Sequence, residues 1–109
     1  RLRYYSEEHF VAVLLNVRCQ VMSVEEIAIG NGNSVLLSPA NVFMPAVKKG
    51  AAAVVLAHNH PSGNPEPSAD DMNITDRLDQ AGRILGIRVV DHIVIGNGTY
   101  YSFKDKGLI

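Results

Sequence analysis

Residues 51–71, which read AAAVVLAHNHPSGNPEPSADD, combine a strand, a loop and the start of a helix. The seven residues at 51–57 are all apolar and predict a short buried strand. The loop at 58–67 holds three of the five prolines, and Ser68 after it is a typical helix N-cap. This order of elements is typical of an α/β fold.

Upstream of this stretch, the hydrophobic pattern predicts three strands. Residues 10–17, FVAVLLNV, are nearly all apolar and rich in β-branched side chains, as in a central strand buried on both faces. Residues 20–29, QVMSVEEIAI, favour a more exposed strand that is interrupted at Glu25 and Glu26. A turn signal then precedes a short strand at 34–37.

Two helices are predicted, one on each side of the buried strand in the sequence. The first covers residues 40–49, with Ser38 as its N-cap. Pro45 removes a backbone hydrogen bond, so this helix either kinks or starts late with Pro45 in its first turn. The second covers residues 69–85 and ends at Gly86, with one apolar stripe formed by Ile74, Leu78, Ala81 and Leu85.

The C-terminal residues predict two more strands, at 87–95 and 99–103, joined by the hairpin signal Asn97-Gly98. The resulting order, β-β-β-α-β-α-β-β, predicts one α/β domain with a central mixed sheet flanked by two helices. The chain has 109 residues, of which 47% are hydrophobic and 19% charged. That length and composition fit a single globular domain over residues 1–109.

The charge and the cysteine content exclude several classes of protein. Ten Lys and Arg against eleven Asp and Glu give a net charge of −1, unlike a domain held on nucleic acid by phosphate contacts. Cys19 is the single cysteine, so neither an internal disulfide nor a cysteine-based zinc site can form, and a cytoplasmic location is expected. No apolar stretch approaches the ~18 residues of a membrane span, so no membrane partner is expected.

The residues that carry the chemistry are His58, His60, Ser68 and Asp71, in the pattern H-x-H-x7-S-x2-D. The two histidines are two residues apart, so in an extended chain both imidazoles point to one side. Asp71, in the first turn of the helix, can face them if the proline-rich loop folds the helix start over the strand end. Two histidines and one carboxylate, with a fourth position open to water, are the ligand set of a catalytic zinc.

Spacing alone leaves two alternatives open. Ser68 and Asp71 also form the S-x-x-D capping box that starts many helices, so this pair by itself favours a structural role. Hydrolysis also needs a base outside the ligand set, which takes a proton from water and returns it to the leaving amine. Spacing does not distinguish between the candidate bases Glu7, Glu8, Glu25, Glu26 and Glu66.

Two further polar residues border this pattern. Asn59, between the two histidines, is expected to point away from them and to hold the loop by hydrogen bonds. His92, beside Asp91 in a predicted strand, is expected to be a histidine bonded to a neighbour. A supporting role close to the zinc is the alternative for His92.

The run AHNHPSGNPEPSADD, with DHIVIG further on, resembles the bacterial RadC proteins of the JAMM (MPN-type) metalloprotease superfamily. The signature of that superfamily is a distant Glu followed by H-x-H-x7-S-x2-D, and the similarity covers nearly the whole chain. The resemblance implies a cytidine-deaminase-like fold and a Zn²⁺ ion held by His58, His60 and Asp71. It also implies hydrolysis of peptide or isopeptide bonds, with Glu8 as the base and Ser68 helping to hold the water and the developing oxyanion.

The chain departs from the RadC pattern at the start of its first helix. RadC proteins usually carry a Pro-Arg-Glu type sequence where Pro39-Ala40-Asn41 stands here, and Pro45 is unusual in that helix. These departures affect the surface through which that helix would contact a partner or a second copy. A homodimer is one of the alternatives that the sequence allows. RadC proteins also tend to have an N-terminal helical region, which implies that this chain is the C-terminal domain of a longer protein.

Two other functions stay open beside the hydrolase with a protein or peptide substrate. The RadC name is tied to DNA repair, so a nucleic-acid-binding repair module is the main alternative, and the net charge argues against it. A non-catalytic interaction domain is the other, and the intact set of motif residues weighs against it. A nucleobase deaminase is disfavoured, because its P-C-x-x-C ligands have no counterpart in this chain.

Overall fold

The computed structural model describes residues 7–30 and 37–109, and they form one mixed sheet with two helices. In chain order, the elements of these two segments are β1 (Glu8–Leu15), β2 (Val21–Gly30), α1 (Pro39–Lys49), β3 (Ala53–Asn59), α2 (Ala69–Leu85), β4 (Arg88–Ile95) and β5 (Tyr100–Ser102). The predicted α/β fold with a mixed sheet and two flanking helices is therefore confirmed. Residues 34–36 of the predicted short strand lie outside the described residues.

The five strands lie side by side in the order β2-β1-β3-β4-β5. β1 is antiparallel to both β2 and β3, while β3 and β4 are parallel to each other. The parallel pair is connected by α2, as a crossover between parallel strands requires. Since β3 runs directly into the loop before α2, the end of β3 and the start of α2 lie close to each other.

The buried core lies on one face of the sheet. Alternate residues of β1 and β3 point to that face, where they join side chains from both helices. The members from the strands are Phe10, Ala12, Leu14, Val54 and Leu56, and those from the helices are Val42, Phe43, Ala46, Ile74 and Leu78. The site described below lies on the same face, beyond one end of this core.

Three strands differ in position or regularity from those predicted. β1 begins at Glu8 and ends at Leu15, two residues earlier than predicted at both ends. The chain turns after Leu15 because the Asn16 side chain accepts hydrogen bonds from the amides of Arg18 and Gln20. β1 is a central strand as predicted, but its second face is only partly buried: His9 and Leu15 are buried there, whereas Val11 and Val13 are half-buried.

The predicted interruption of β2 at Glu25 and Glu26 is also displaced. β2 is continuous from Val21 to Gly30, and its register against β1 shifts twice: between Phe10 and Val11, which pair with Ala28 and Glu26, and between Leu14 and Leu15. Ile27 is therefore the extra residue of a β-bulge.

β3 runs two residues later than predicted. The amide of Ala51 bonds the carbonyl of Ala46, so Ala51 still belongs to the cap of α1. At the other end, His58 and Asn59 pair with β4. His58 therefore lies inside the strand rather than in the loop, and His60 is the first residue beyond it.

The helices agree with the sequence pattern except in detail. α1 begins at Pro39 and contains Pro45 in its interior, so a late start at Pro45 is wrong. α2 has the predicted bounds, but Leu85 of its predicted stripe is 50% exposed. Neither helix in the described segments is long and apolar enough to cross a membrane.

Candidate metal centre

The end of β3 and the start of α2 bring three side chains of the sequence motif into one cluster. The Nε2 atoms of His58 and His60 lie 3.1 Å apart. Asp71 offers one carboxylate oxygen to each ring, Oδ1 at 3.3 Å from His58 Nε2 and Oδ2 at 3.1 Å from His60 Nε2. Two imidazole nitrogens and one carboxylate therefore face a common point, as the spacing predicted.

Glu8 completes this cluster from the neighbouring strand. Its Oε1 lies 3.8 Å from His58 Nε2, and the candidate ligand atoms of Glu8, His58, His60 and Asp71 all lie within 4.8 Å of one another. Glu8 is two residues before Phe10 in β1, so it points to the same face as the core. The carboxylate of Glu8 stands slightly outside the closer group formed by the other three.

The other candidate bases lie elsewhere in the described residues. Glu7 is exposed, and its side chain belongs to the opposite strand face from Glu8. Glu25 pairs with Lys49 at 2.8 Å, and Glu26 accepts a hydrogen bond from His9 at 2.7 Å. Glu66 is exposed in the loop. The fold thus separates Glu8 from alternatives that spacing left equal.

Ser68 and Asp71 form the capping box that the sequence allowed. The Asp71 amide donates to Ser68 Oγ at 3.1 Å, and the Ser68 amide donates to Asp71 Oδ2 at 2.8 Å. Asp71 Oδ2 therefore serves the helix start and the histidine cluster together. The structural role of this pair and its place at the site are compatible.

The electrostatics of Asp71 favour a cation. Burial raises the pKa of its carboxyl, but the contact with the His58 ring, the hydrogen bond from the Ser68 amide and the charge of the two rings when protonated outweigh burial. The pKa is held well below its usual range as a result. An ionised carboxylate facing two imidazoles is suited to bind a metal ion.

The loop after β3 orients His60. Nδ1 of His60 lies 3.0 Å from the carbonyl oxygen of Asn64, which can only accept, so Nδ1 carries the proton and Nε2 keeps its lone pair for the site. The loop is held against the turn after β4: the His60 amide bonds the carbonyl of Ile95, and the Asn97 amide bonds that of Gly63. This turn therefore fixes the loop that supplies a candidate ligand.

His58 is held by a chain of polar groups that leads into α2. Its Nδ1 lies 2.8 Å from Nε2 of His92, whose Nδ1 lies 2.5 Å from the hydroxyl of Thr75. The Thr75 hydroxyl in turn bonds the backbone carbonyl of Asp71 at 2.7 Å. The side chains of His58, His92 and Thr75 are all buried, with His58 1% and His92 0% exposed.

A β-bulge directs His92 to this position. Val54 pairs with Val89, but the next residue of β3, Val55, pairs with Asp91, so Val90 is the extra residue. His92 therefore points to the core face although it lies three residues after the buried Val89. Burial and the nearby His58 lower the pKa of His92 to about 3, so its ring is neutral at ordinary pH.

Asn59 links β3 to the backbone on both sides of Glu8. Its side-chain oxygen accepts a hydrogen bond from the His9 amide at 2.6 Å, and its side-chain nitrogen donates to the Glu7 carbonyl at 3.0 Å. Asn59 points away from both histidines, as expected. It holds β1 rather than the loop, which corrects the predicted target of its hydrogen bonds.

Sequence reasoning missed Thr75 and the partner of Asn59. Thr75 stands four residues after Asp71, a spacing that places two residues on the same helix face, and this signal could have drawn attention to it. Asn59 is separated in sequence from its partners His9 and Glu7 by 50 and 52 positions, and the spacing of residues gives no sign of contacts at that range. His92 was noticed, and the hydrogen-bonded position expected for it is confirmed.

Comparison with known proteins places this cluster in a family. The family described as RadC-like JAB domain matches residues 1–108. A UPF0758 protein of Alkaliphilus metalliredigens is 46% identical over 108 residues, which are 99% of this chain and 47% of that protein. A UPF0758 protein of Caldanaerobacter subterraneus is 47% identical over 106 residues, which are 97% of this chain and 46% of that protein.

A UPF0758 protein of Clostridium novyi is 44% identical over 108 residues, which cover 99% of this chain and 47% of that protein. The chain thus spans about half the length of the curated relatives it matches. The family match covers nearly every residue and includes β1, β3 and α2, which supply the cluster. The chain therefore belongs to the RadC-like JAB domain family.

Proposed function

We propose that this domain is a zinc-dependent hydrolase of amide-type bonds, in which His58, His60 and Asp71 hold the metal. The observation that carries the proposal is the convergence of two imidazole nitrogens and a carboxylate, at 3.1–3.3 Å from one another, beside the separate carboxylate of Glu8. Membership of the JAB domain family supports the same chemistry.

The spacing of the donor atoms fits zinc. Zinc–ligand bonds of about 2.1 Å at tetrahedral angles of about 109° place two ligand atoms about 3.4 Å apart. The Nε2 atoms of His58 and His60 lie 3.1 Å apart, and each lies 3.1–3.3 Å from a different oxygen of Asp71, so the donor atoms lie close to the spacing that zinc requires. Two histidines and one carboxylate are also the ligand set of catalytic rather than structural zinc sites.

Glu8 has the position of a general base. Zinc in such a site supplies a Lewis acid and a water of lowered pKa. The Glu8 carboxylate is half-buried, reaches the cluster, and stands outside the three closest donors. It is therefore placed to take a proton from the attacking water and to return it to the leaving amine.

Ser68 supports the same reaction from the start of α2. Its Oγ accepts the Asp71 amide, so its hydroxyl proton is not used by the cap and remains available as a donor. Ser68 is exposed, so that proton can reach an oxygen of a bound substrate. We assign it to hold the water and the developing oxyanion, a role that electrostatic catalysis requires.

The substrate class we propose is a peptide or isopeptide bond of a protein. The cluster is formed by the end of a strand and the exposed start of a helix, so an extended polypeptide can approach it from solvent. The exposed, unpaired Cys19 is consistent with a reducing, cytoplasmic setting.

Two measurements test the proposal. Zinc bound at equilibrium is quantified first, and hydrolysis of a broad library of peptides and isopeptide-linked peptides is then followed by mass spectrometry. Glu8→Gln is expected to bind zinc within a few-fold of the wild type and to lose roughly 10²–10⁴-fold in rate. Glu7→Gln is the matched control, because it makes the same change at the exposed neighbour and should retain the full rate.

The outcomes separate the two parts of the proposal. The metal assignment is supported if Asp71→Asn loses zinc. The hydrolase assignment is supported if Glu8→Gln loses rate while it keeps zinc and Glu7→Gln keeps the full rate. A wild-type protein that takes up no zinc would overturn the metal assignment. Full zinc occupancy without cleavage of any library member would overturn the hydrolase assignment.

A further inference from the structure

The polar chain behind His58 raises a question of proton placement. A neutral imidazole carries one proton, and only the nitrogen without it can bind a metal. For His58 to act as a ligand through Nε2, its proton must therefore lie on Nδ1. That nitrogen faces His92 Nε2 at 2.8 Å, whereas Nε2 of His58 faces Asp71 Oδ1 at 3.3 Å. The shorter contact with His92 favours the proton on Nδ1, provided that His92 Nε2 accepts it.

The donor and acceptor in each hydrogen bond behind His58 follow from the last acceptor, the backbone carbonyl of Asp71. The backbone carbonyl of Asp71 can only accept, and the Thr75 hydroxyl lies 2.7 Å from it, so the hydroxyl proton points there. Thr75 Oγ1 then accepts from Nδ1 of His92, at 2.5 Å. With its one proton on Nδ1, the His92 imidazole has a lone pair on Nε2, which lies 2.8 Å from Nδ1 of His58 and accepts from it.

Two stacked aromatic rings hold this chain in place. Phe10 stacks on His58, with ring centroids 5.6 Å apart and an angle of 16° between planes. Phe103 stacks on His92 at 4.9 Å and 10°. Stacking fixes the plane of each imidazole. The hydrogen bonds at Nδ1 of His58 and at both nitrogens of His92 fix which ring atom faces which partner.

We infer that His92 and Thr75 are positioning residues for the proposed metal site: they hold His58 with its proton on Nδ1 and the Nε2 lone pair toward the metal. The inference rests on the proposed function for the identity of the metal. The tautomer itself is a property of the metal-free protein. The site is thus prepared from within α2, since Asp71 supplies both a ligand carboxylate and the carbonyl that directs the chain.

Removal of the Thr75 hydroxyl is predicted to move the proton of His58. Thr75→Val keeps the shape of the side chain but leaves the Nδ1 proton of His92 without an acceptor in a buried place. The proton then favours Nε2 of His92, which turns that atom into a donor and moves the His58 proton onto its own Nε2. The ring would thereby present a proton, instead of a lone pair, to the site.

The experiment measures the tautomer and the metal affinity separately. Ring ¹⁵N shifts of His58 in metal-free protein report which nitrogen carries the proton, and chelator competition gives the dissociation constant for Zn²⁺. The wild type is expected to show the proton on Nδ1. Thr75→Val should shift it toward Nε2 and weaken zinc binding by roughly 10–100-fold, as loss of a ligand's hydrogen-bond partner does.

Three further variants distinguish positioning from packing. Thr75→Ser retains the hydroxyl and should restore both the tautomer and zinc affinity. His92→Phe keeps an aromatic ring but removes the acceptor, and should weaken zinc binding like Thr75→Val. Val89→Ala, which truncates a buried residue of β4 that pairs with Val54 rather than with His58, should lower stability while zinc affinity and the His58 tautomer remain those of the wild type.

The outcomes are decisive in each direction. A wild-type His58 with its proton on Nε2 overturns the inference, as does Thr75→Val with unchanged tautomer and zinc affinity. If the wild type binds no zinc, the proposed function fails, whereas the ring shifts still decide the inference. If His92→Phe does not fold, the comparison of Thr75→Val with Thr75→Ser carries the test.

Discussion

At the scale of single residues, the site depends on side chains outside the proposed set of metal ligands. Asn59 lies between two candidate ligands in sequence, yet its amide bonds the backbone on both sides of Glu8 in another strand. His92 and Thr75 support His58 in the same indirect way. The positions of Glu8 and His58 thus depend on hydrogen bonds made by neighbouring residues as well as on their own contacts.

Asn59→Ala should separate the base from the metal. The variant leaves the Glu7 carbonyl and the His9 amide without their partner, at a cost of about 1–3 kcal/mol in the free energy of unfolding. Zinc affinity should change only a few-fold, because no ligand is lost, while the rate falls as Glu8 moves. Asn16→Ala, which removes a side-chain amide from the exposed β1–β2 turn, is the control. A parallel loss of zinc and rate would contradict this assignment.

The pKa of His92 predicts an acid-sensitive fold. Burial, with a contribution from His58, lowers this pKa from 6.5 to about 3 in the folded protein. Between these values the unfolded chain binds a proton that the folded protein does not, so the free energy of unfolding falls as pH decreases from 6.5 toward 3. The contribution is fully present above pH 6.5, and it decreases by up to about 1.4 kcal/mol per pH unit below it.

Urea unfolding of metal-free protein at several pH values measures this effect. The difference between the wild type and His92→Phe isolates the contribution of His92, since the other histidines are common to both proteins. We expect the wild type to lose stability relative to the variant as the solution is acidified. Two parallel pH profiles would show that His92 is not held neutral by burial.

At the scale of elements, the site is a junction between the end of β3, the start of α2 and the turn after β4. The loop between β3 and α2 is rich in proline and is held against that turn by two backbone hydrogen bonds. A bulge in β4 directs His92 inward. The geometry of the cluster therefore depends on how neighbouring elements meet as well as on the motif.

Gly96 marks the closest approach of these elements. A Cβ atom there would meet the carbonyl oxygen of Gly63 and would lie 2.9–3.0 Å from atoms of Pro65, so the loop must shift in Gly96→Ala. Because this loop carries His60, zinc affinity should fall roughly tenfold, the effect of removing the support of a ligand.

The control for this variant is Gly98→Ala in the same turn. Gly98 has a φ of +74°, and beyond its chain neighbours no atom of residues 7–30 or 37–109 lies within 4 Å of the added Cβ. The substitution therefore costs backbone strain of about 1 kcal/mol without touching the loop. Its zinc affinity should equal that of the wild type. Equal affinities in both variants would show that the loop does not rely on this contact. Titration of zinc into both proteins measures the difference.

At the scale of the whole molecule, zinc should stabilise the folded domain. A metal that binds only the folded state at a thousand times its dissociation constant adds about 4 kcal/mol to the free energy of unfolding. For a domain of this length, that corresponds to a rise in Tm on the order of 15 °C. A chelator should reverse the shift, and thermal melts with and without zinc measure it.

Two variants test where this stabilisation arises. His60→Ala removes a proposed ligand and should abolish the shift, whereas Glu8→Gln should retain most of it because Glu8 stands outside the closest donors. A shift of the same size in His60→Ala would place the metal elsewhere on the molecule.

Much of the fold was predictable because it rests on local patterns. The period of apolar residues and the caps at Ser68 and Gly86 predicted α2 with its observed bounds. Strand ends were less predictable, since they depend on partners: β3 continues through His58 and Asn59 only because β4 lies beside it. Likewise, Leu85 is exposed although it fits the apolar stripe, because it is the last residue of α2 and lies at the end of that helix face.

The sequence by itself determined the motif, the elements that carry it and the family to which the chain belongs. The spacing of His58, His60 and Asp71 implied one cluster, since a strand end and a helix start are short, regular structures. The tertiary structure decided which glutamate joins the cluster, how Asn59 holds it, and which polar groups lie behind His58. These features depend on contacts between distant strands and on hydrogen-bond direction, which have no periodic signal along the chain.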